Sequence, residues 1–247
     1  MGTGKVSLGR IRKTAHIPGR KEKDGMTDTV IFDLDGTLLD TLEDLTDSVN
    51  YAMEKFGFPV HTIEEIRTFV GNGAPKLLER SIPNGVENPD YEAALAAFKA
   101  HYAGHCEDKT KPYEGVTETL AELKRQGYHL AVVSNKFDGA VKKLCKKYFG
   151  EYITVSIGES AEVKRKPAPD TVYRALRELG CDGSRAVYVG DSEVDIQTAK
   201  NASLPCISVT WGFRTEEKLR SEGAREELFV RTPQALAPLL ARLRAEG

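Results

Sequence analysis

The apolar residues of this chain fall into two patterns. Short apolar and β-branched runs at 29–32, 130–133, 186–189 and 205–209 end at a polar or turn residue. Continuous apolar runs of this length fit strands buried on both faces of a parallel sheet. Between them, stretches with apolar positions three and four apart predict helices at 116–126, 139–148, 169–179 and 192–201. Gly127 and Gly180 stand just past two of these stretches and Pro169-Asp170 opens a third, as helix stop and start signals do. Strand alternating with helix predicts an α/β fold with a doubly wound parallel sheet. A last helix at 233–243 places Leu236, Leu239, Leu240 and Leu243 on one stripe and is expected to cover a face of that sheet.

One region breaks the alternation. Residues 41–112 carry helical patterns at 42–56, 63–69, 74–82 and 91–106, separated by Gly57-Phe58-Pro59, Gly71-Asn72-Gly73 and Pro83-Asn84-Gly85. They predict an all-helical cap domain inserted after the first strand, leaving a core of residues 26–40 and 113–247.

Composition changes this picture at one end. With 247 residues, 40% apolar and 29% charged, the chain can bury a core and is not a highly charged disordered polymer. Its net charge of −2 hides a split: residues 1–25 hold seven Lys/Arg against two acids, a net +5, while the other 28 Lys/Arg and 35 acids leave −7. Residues 1–25 are therefore expected to lie outside the fold, as a dispensable extension or a cloning or gene-model artefact, with Met26 as the original start. A nucleic-acid or membrane-surface tether is the alternative reading of that tail. No apolar run suggests a signal core or membrane span, and Cys106, Cys145, Cys181 and Cys206 form no C-x-x-C. A cytoplasmic protein with neither a zinc cluster nor a nucleic-acid or membrane partner is expected.

The chemistry concentrates where the apolar runs end. In Asp33-Leu34-Asp35-Gly36-Thr37, residues i and i+2 of an extended segment face one way, so both carboxylates point into one site and call for a cation or a shared proton. Ser134-Asn135 offers a hydroxyl and backbone N–H groups entering a helix, which suit phosphate oxygens. Pro167 biases Lys166 towards an extended backbone that can present its ammonium inward. Gly190-Asp191-Ser192-Glu193-Val194-Asp195 adds two carboxylates at a strand end. Each piece alone reads equally as an acidic turn, a helix cap or a solvated cation. Their order behind successive strands favours one site.

These segments resemble the four motifs of the haloacid dehalogenase superfamily of phosphohydrolases, over residues 28–245. The resemblance implies a Rossmann-like core with a helical cap, as among phosphoglycolate phosphatases, pyrophosphatases and β-phosphoglucomutases. It implies Asp33 as the nucleophile, Asp35 as acid and then base, and Lys166 with Ser134 and the Asn135 backbone holding the phosphoryl oxygens. It also implies Mg2+ held by Asp33, the Asp35 main-chain carbonyl and Asp191, with Asp195 supporting the metal through water.

In the cap, Gly71-Asn72-Gly73 precedes a helix whose first N–H groups suit an anion, and Lys76 and Arg80 lie one turn apart on one face. Residues 70–74 with Leu77-Leu78-Glu79-Arg80 are similar to the cap of phosphoglycolate phosphatases, and a solvated face is the plain alternative for the two cations. Leu45 stands where the mutases of the group carry histidine, which disfavours mutase activity. Lys76 matches the Schiff-base lysine of phosphonatases only loosely, and Asp35 argues for phosphoryl rather than dehalogenase chemistry. His101 and His105, at i and i+4, read as a surface pair, and Trp211-Gly212-Phe213 as a packed loop near the site entrance. The expected function is Mg2+-dependent hydrolysis of a small phosphate ester, preferentially 2-phosphoglycolate, by a monomer or homodimer. A pyrophosphatase or a broad-range sugar or nucleotide phosphatase is the alternative, with a phosphonatase or a catalytically silent binding module behind it.

Overall fold

The computed structural model describes residues 27–246, so the readings of the N-terminal extension and of Met26 lie outside the described residues. Strands are numbered along the chain. β1 (Thr29–Phe32) lies inside a sheet of six parallel strands with β4 (His129–Phe137), β5 (Val155–Glu159), β6 (Ala186–Gly190), β7 (Cys206–Val209) and β8 (Phe229–Val230). Their order is β5-β4-β1-β6-β7-β8. The chain builds outward from β1 to β4 and β5, then returns to the other side of β1 for β6. Such a reversal opens a crevice at the carboxyl ends of the strands, where open α/β sheets hold ligands. Phe32 is paired with both Val132 and Val189, so Asp33, Ser134 and Asp191 emerge at one edge.

Four helices precede the core helices: α1 (Leu42–Lys55), α2 (Ile63–Phe69), α3 (Ala74–Ser81) and α4 (Tyr91–His105). The chain enters and leaves them through an antiparallel ribbon of β2 (Leu39–Asp40) and β3 (Lys111–Pro112), pairs too short for the apolar pattern to announce. The Asp44 carboxylate accepts from the N–H groups of Lys109 and Thr110, both at 2.9 Å, and pins the return segment to α1. Leu45, Leu77, Phe98 and Tyr102 join the same apolar core as one face of the sheet, so cap and core share buried surface.

Side chains alternate along each strand, and both faces of the sheet are covered. Val30, Phe32, Val132 and Val189 pack with residues of α5 (Val116–Arg125), α6 (Asp138–Phe149) and α10 (Leu236–Glu246). Ile31, Ala131, Val133 and Tyr188 pack with α7 (Asp170–Leu179) and α8 (Glu193–Asn201). This is the doubly wound architecture that the strand–helix alternation predicts. β5 escapes the pattern because Ser156 and Gly158 interrupt its apolar run, and β8 because it is two residues long. A short helix, α9 (Glu216–Ser221), connects β7 towards β8. The last helix is expected from residue 233, but it opens with a 3-10 turn at Pro233–Ala235 before α10.

One difference matters for the site. The run at 130–133 continues as strand to Phe137, with a register shift against β5 between Val133 and Phe137, and α6 begins only at Asp138. Asp138 Oδ1 accepts from the Gly158 N–H at 3.1 Å and fixes this irregular strand end. Ser134, Asn135 and Lys136 therefore sit on a bulge rather than at a helix N-terminus, and bulges re-aim side chains beside active sites. Among the described residues, no helix is long and apolar enough to cross a membrane.

Candidate active site

At the end of β1 the Asp33 N–H donates to Val189 O at 2.9 Å, which carries the strand pairing right up to the site and leaves Asp33 buried at 7% exposure. Facing it is the buried ammonium of Lys166, 2.8 Å from Asp33 Oδ1 and 2.8 Å from Asp195 Oδ1. The Tyr188 hydroxyl accepts from Lys166 Nζ at 3.0 Å and donates to Asp195 Oδ1 at 2.9 Å. Asp195 Oδ2 accepts from the Ser192 N–H at 3.1 Å and the Ser192 hydroxyl at 2.5 Å. With both oxygens engaged, Asp195 orients Lys166 as much as it adds charge.

Asp191 is placed just as firmly. Its Oδ1 accepts from the Thr37 hydroxyl at 3.2 Å and its Oδ2 from the Phe213 N–H at 2.7 Å. Gly212 lies so close that a Cβ there would stand 2.3 Å from Gly36 O and 2.4 Å from Asp191 Cβ, so only glycine fits.

The electrostatics show what this cluster lacks. Burial, followed by repulsion from Asp195, holds the Asp33 carboxyl well above the usual carboxylate range, against the opposing pull of Lys166. Burial and Asp195 push Asp191 up to about 7, against the Phe213 N–H, Arg214 and the Thr37 hydroxyl. Burial alone would lower the Lys166 ammonium, but Asp195 and Asp33 reverse that and raise it. Asp33, Asp191 and Asp195 offer ligand oxygens within 4.8 Å of one another. Three buried carboxylates around one ammonium are short of positive charge, and an all-oxygen donor set suits a hard divalent cation such as Mg2+.

A second buried lysine completes the floor. Lys136, on the bulge of β4, places Nζ 2.8 Å from Asp35 Oδ1 and donates to the Tyr102 hydroxyl of α4 at 2.7 Å. Burial would lower this ammonium too, but Asp35 and Tyr102 raise it. Ser134 is buried beside it, its Oγ accepting from the Lys136 N–H at 3.1 Å. The Asn135 side chain clamps two loops: its amide donates to Gly71 O and Lys166 O, both at 3.1 Å, and its Oδ1 accepts from the Lys166 N–H at 2.8 Å.

Between floor and cap lies a cavity of about 60 Å³. Asp33, Asp35, Ser134, Asn135, Lys166 and Asp191 line its core side, and Leu45, Gly71, Gly73, Ala74 and Leu77 its cap side. Gly73, at φ +82°, caps α3 and would bring a Cβ within 2.9 Å of Asn135 O, so the cap loop rests directly on the core bulge. Asn72, Lys76 and Arg80 are not brought to the cavity. Arg80 donates to Phe69 O at 2.6 Å and to Asn72 Oδ1 at 2.9 Å, which spends its guanidinium on holding the loop. Lys76 pairs with Glu79, and its side chain is 43% exposed. Leu45 is buried and lines the cavity.

Three participants escape the sequence pattern: Lys136, Tyr102 and Arg214. Lys136 had a usable signal, since it directly follows Ser134-Asn135. Arg214, after β7, also lines the cavity; it pairs with Glu193 at 2.9 Å and donates to two cap carbonyls, Arg67 O at 2.8 Å and Val70 O at 2.7 Å.

Residues 30–209 match the family model of haloacid dehalogenase-like hydrolases. The phosphoglycolate phosphatase 1 of Pseudomonas aeruginosa is 36% identical over 200 residues, 78% of this chain and 73% of its own length. A phosphoglycolate phosphatase of Mesorhizobium japonicum is 33% identical over 74% of this chain and 83% of its own. Among solved structures, a protein of Lactobacillus delbrueckii subsp. bulgaricus superposes with a TM-score of 0.82 at 36% identity, covering 87% of this chain and 98% of that one. A predicted phosphoglycolate phosphatase from Haemophilus somnus superposes with a TM-score of 0.79 at 26% identity, covering 86% and 97%. The chain belongs to the haloacid dehalogenase-like hydrolases and is a phosphatase of that family.

Proposed function

We propose that this phosphatase hydrolyses phosphomonoesters through a phosphoryl group carried on Asp33, with Mg2+ as cofactor and 2-phosphoglycolate as preferred substrate. The observation that carries the reading is the buried pairing of Asp33 with Lys166 beside Asp191 and Asp195, on the floor of the cavity between core and cap. Lys166, Ser134 and the Asn135 backbone bind the phosphoryl oxygens and orient phosphorus for in-line attack. An Asp33 oxygen forms the new bond to phosphorus as the bond to the ester oxygen breaks, and Asp35 gives that oxygen its proton, releasing an alcohol. The resulting Asp35 carboxylate then takes a proton from water. The water oxygen bonds to phosphorus, the Asp33 bond breaks, and phosphate leaves. Asp33, the Asp35 carbonyl and Asp191 would hold Mg2+, with Asp195 beside it, and the ion would supply the positive charge that offsets these carboxylates and the phosphoryl oxygens.

The cavity volume bears on the substrate. A water needs roughly 10–15 Å³ of such space, so about 60 Å³ suits a compact ester. The leaving-group side presents Leu45, Leu77 and Phe98 together with the N-terminal turn of α3. This lining suits a compact leaving group, and the free N–H groups at the start of α3 suit the negative charge of its carboxylate. The relatives named as phosphoglycolate phosphatases agree with this reading.

The test is a panel of 2-phosphoglycolate, pyrophosphate, sugar phosphates and nucleoside monophosphates compared by kcat/KM, with and without Mg2+. 2-Phosphoglycolate is expected to rank first, and a nucleotide ranking first would overturn the substrate assignment. Asp33→Asn should lose roughly 10⁵-fold in turnover, as nucleophile deletions do, and fail to retain label from a 32P-ester after acid quench. Full Mg2+-dependent turnover in that variant would refute the nucleophile.

A further inference from the structure

We propose that Lys136 is a positioning residue for Asp35 and that, through Tyr102, it makes the placement of that acid depend on the cap. The inference rests on the reading of Asp35 as proton donor given above.

Lys166 is held by Asp33 and Asp195, so it serves the end of the site where phosphorus is attacked. Lys136 is held elsewhere: its side chain is 3% exposed, and its nitrogen is 2.8 Å from Asp35 Oδ1. A buried ammonium persists only where partners replace its water. The second partner belongs to the cap, because Lys136 Nζ donates to the Tyr102 hydroxyl at 2.7 Å and stands 4.5 Å from the centroid of that ring. Tyr102 is fully buried, stacked on Phe98 at 5.7 Å and set edge-on to Phe137 at 6.0 Å, so its hydroxyl moves only as α4 moves.

The consequence is chemical. When the Asp35 proton passes to the departing alkoxide, a carboxylate is left behind. An ammonium already in contact stabilises that charge without reorganising. The same contact holds the carboxylate facing the site until it takes the proton of the incoming water. A cap lifted from the core removes the Tyr102 acceptor, and Lys136 then loses the partner that fixes its direction. Proton donation is thereby tied to a closed cap, when bulk water is excluded.

The experiment compares esters that need a protonated leaving group with one that does not. 2-Phosphoglycolate and glycerol 3-phosphate release alkoxides, whereas p-nitrophenyl phosphate releases a phenolate that departs without a proton. The readout is the mutant-to-wild-type ratio of kcat/KM, which covers steps up to leaving-group departure and not hydrolysis of the phosphorylated enzyme. Lys136→Met should lower the alkyl esters about 100-fold, the low end of general-acid contributions, and the aryl ester only about threefold. Tyr102→Phe keeps the ring and removes the acceptor, and should lower the alkyl esters about fivefold and the aryl ester by less than about twofold. Should Lys136→Met fail to fold, the ester ratios of Tyr102→Phe alone decide between the outcomes. Equal losses for both ester classes, or no alkyl loss in Tyr102→Phe, would overturn the proposal. Asp35→Asn separates the two levels. If its losses are equal across the esters, the acid reading itself fails; if they are alkyl-selective while those of Lys136→Met and Tyr102→Phe are not, only the positioning role fails.

Discussion

On the core side of the cavity, Asp33, Lys166, Asp191 and Asp195 are 7%, 4%, 1% and 0% exposed, and partners drawn from other elements hold each of them. On the cap side, Gly71, Gly73, Ala74 and Leu77 present backbone and hydrocarbon, while the charged residues of the same segment face elsewhere. The two walls thus divide the work. Strand ends hold charges that would repel one another in a looser frame, and the cap contributes shape and a helix terminus. Chemistry is over-determined on one wall, and selection on the other rests on how closely a loop is seated.

The core wall should therefore break sharply. In Gly212→Ala the new Cβ meets Gly36 O and Asp191 Cβ at about 2.3 and 2.4 Å, and neither can yield without moving the carboxylate. The Mg2+ needed for half-maximal turnover should rise roughly 10- to 100-fold, the scale of perturbed metal sites. An unchanged Mg2+ requirement would show that Asp191 tolerates displacement.

The same crowding predicts a pH effect on the metal-free protein. Asp191, pushed up to about 7, and Asp33, also raised, bind protons more tightly folded than unfolded. Their contribution to stability is present below the ordinary carboxylate pKa near ~4 and is lost as pH rises through the folded values. Tm without metal should fall between pH 5 and pH 8, and Mg2+ should raise it more at pH 8 than at pH 5. A Tm rising across that window would contradict the electrostatic account of the cluster.

Arg214 joins the two walls, and its loss should have an intermediate effect. Arg214→Ala removes charge-assisted bonds to Glu193, Arg67 O and Val70 O, and hydrogen bonds to charged groups contribute about 1.5–3 kcal/mol each. Much of that loss is absorbed by a looser cap, so kcat/KM for the preferred ester should fall about tenfold. Discrimination against bulkier esters should relax at the same time. A fall of equal size for small and bulky esters would argue that Arg214 does not seat the cap.

The two walls also differ in how far they can be read from the chain. Asp33 and Ser134 are visible because each directly follows a continuous apolar run, and Asp191 because one glycine separates it from such a run; parallel register brings these ends to one edge. β5 is not visible, since Ser156 and Gly158 break its run and pairing with β4 compensates. Lys136 and Tyr102 lie 34 residues apart on elements that pack only in three dimensions. In the sequence Tyr102 is one aromatic on a helical stripe with Phe98, and nothing local marks its hydroxyl as a partner. Lys76 and Arg80 show the converse: helical spacing puts them on one face, but only the fold decides that this face looks away from the cavity.

Those two residues provide the gentlest test. The Lys76–Glu79 pair is half-exposed, and pairs near the surface contribute about 0–1 kcal/mol. Lys76→Ala should therefore change kcat/KM by less than about twofold for every ester. Arg80→Ala frees Phe69 O and Asn72 Oδ1, loosening the turn that delivers Gly71 and Gly73 to the core bulge. KM should rise about threefold to tenfold, as expected for one or two modest hydrogen bonds, and by the same factor with and without a carboxylate on the leaving group. If either variant weakens 2-phosphoglycolate selectively, the side chain itself reaches the substrate when the ester is bound, and the cap wall recognises charge as well as shape.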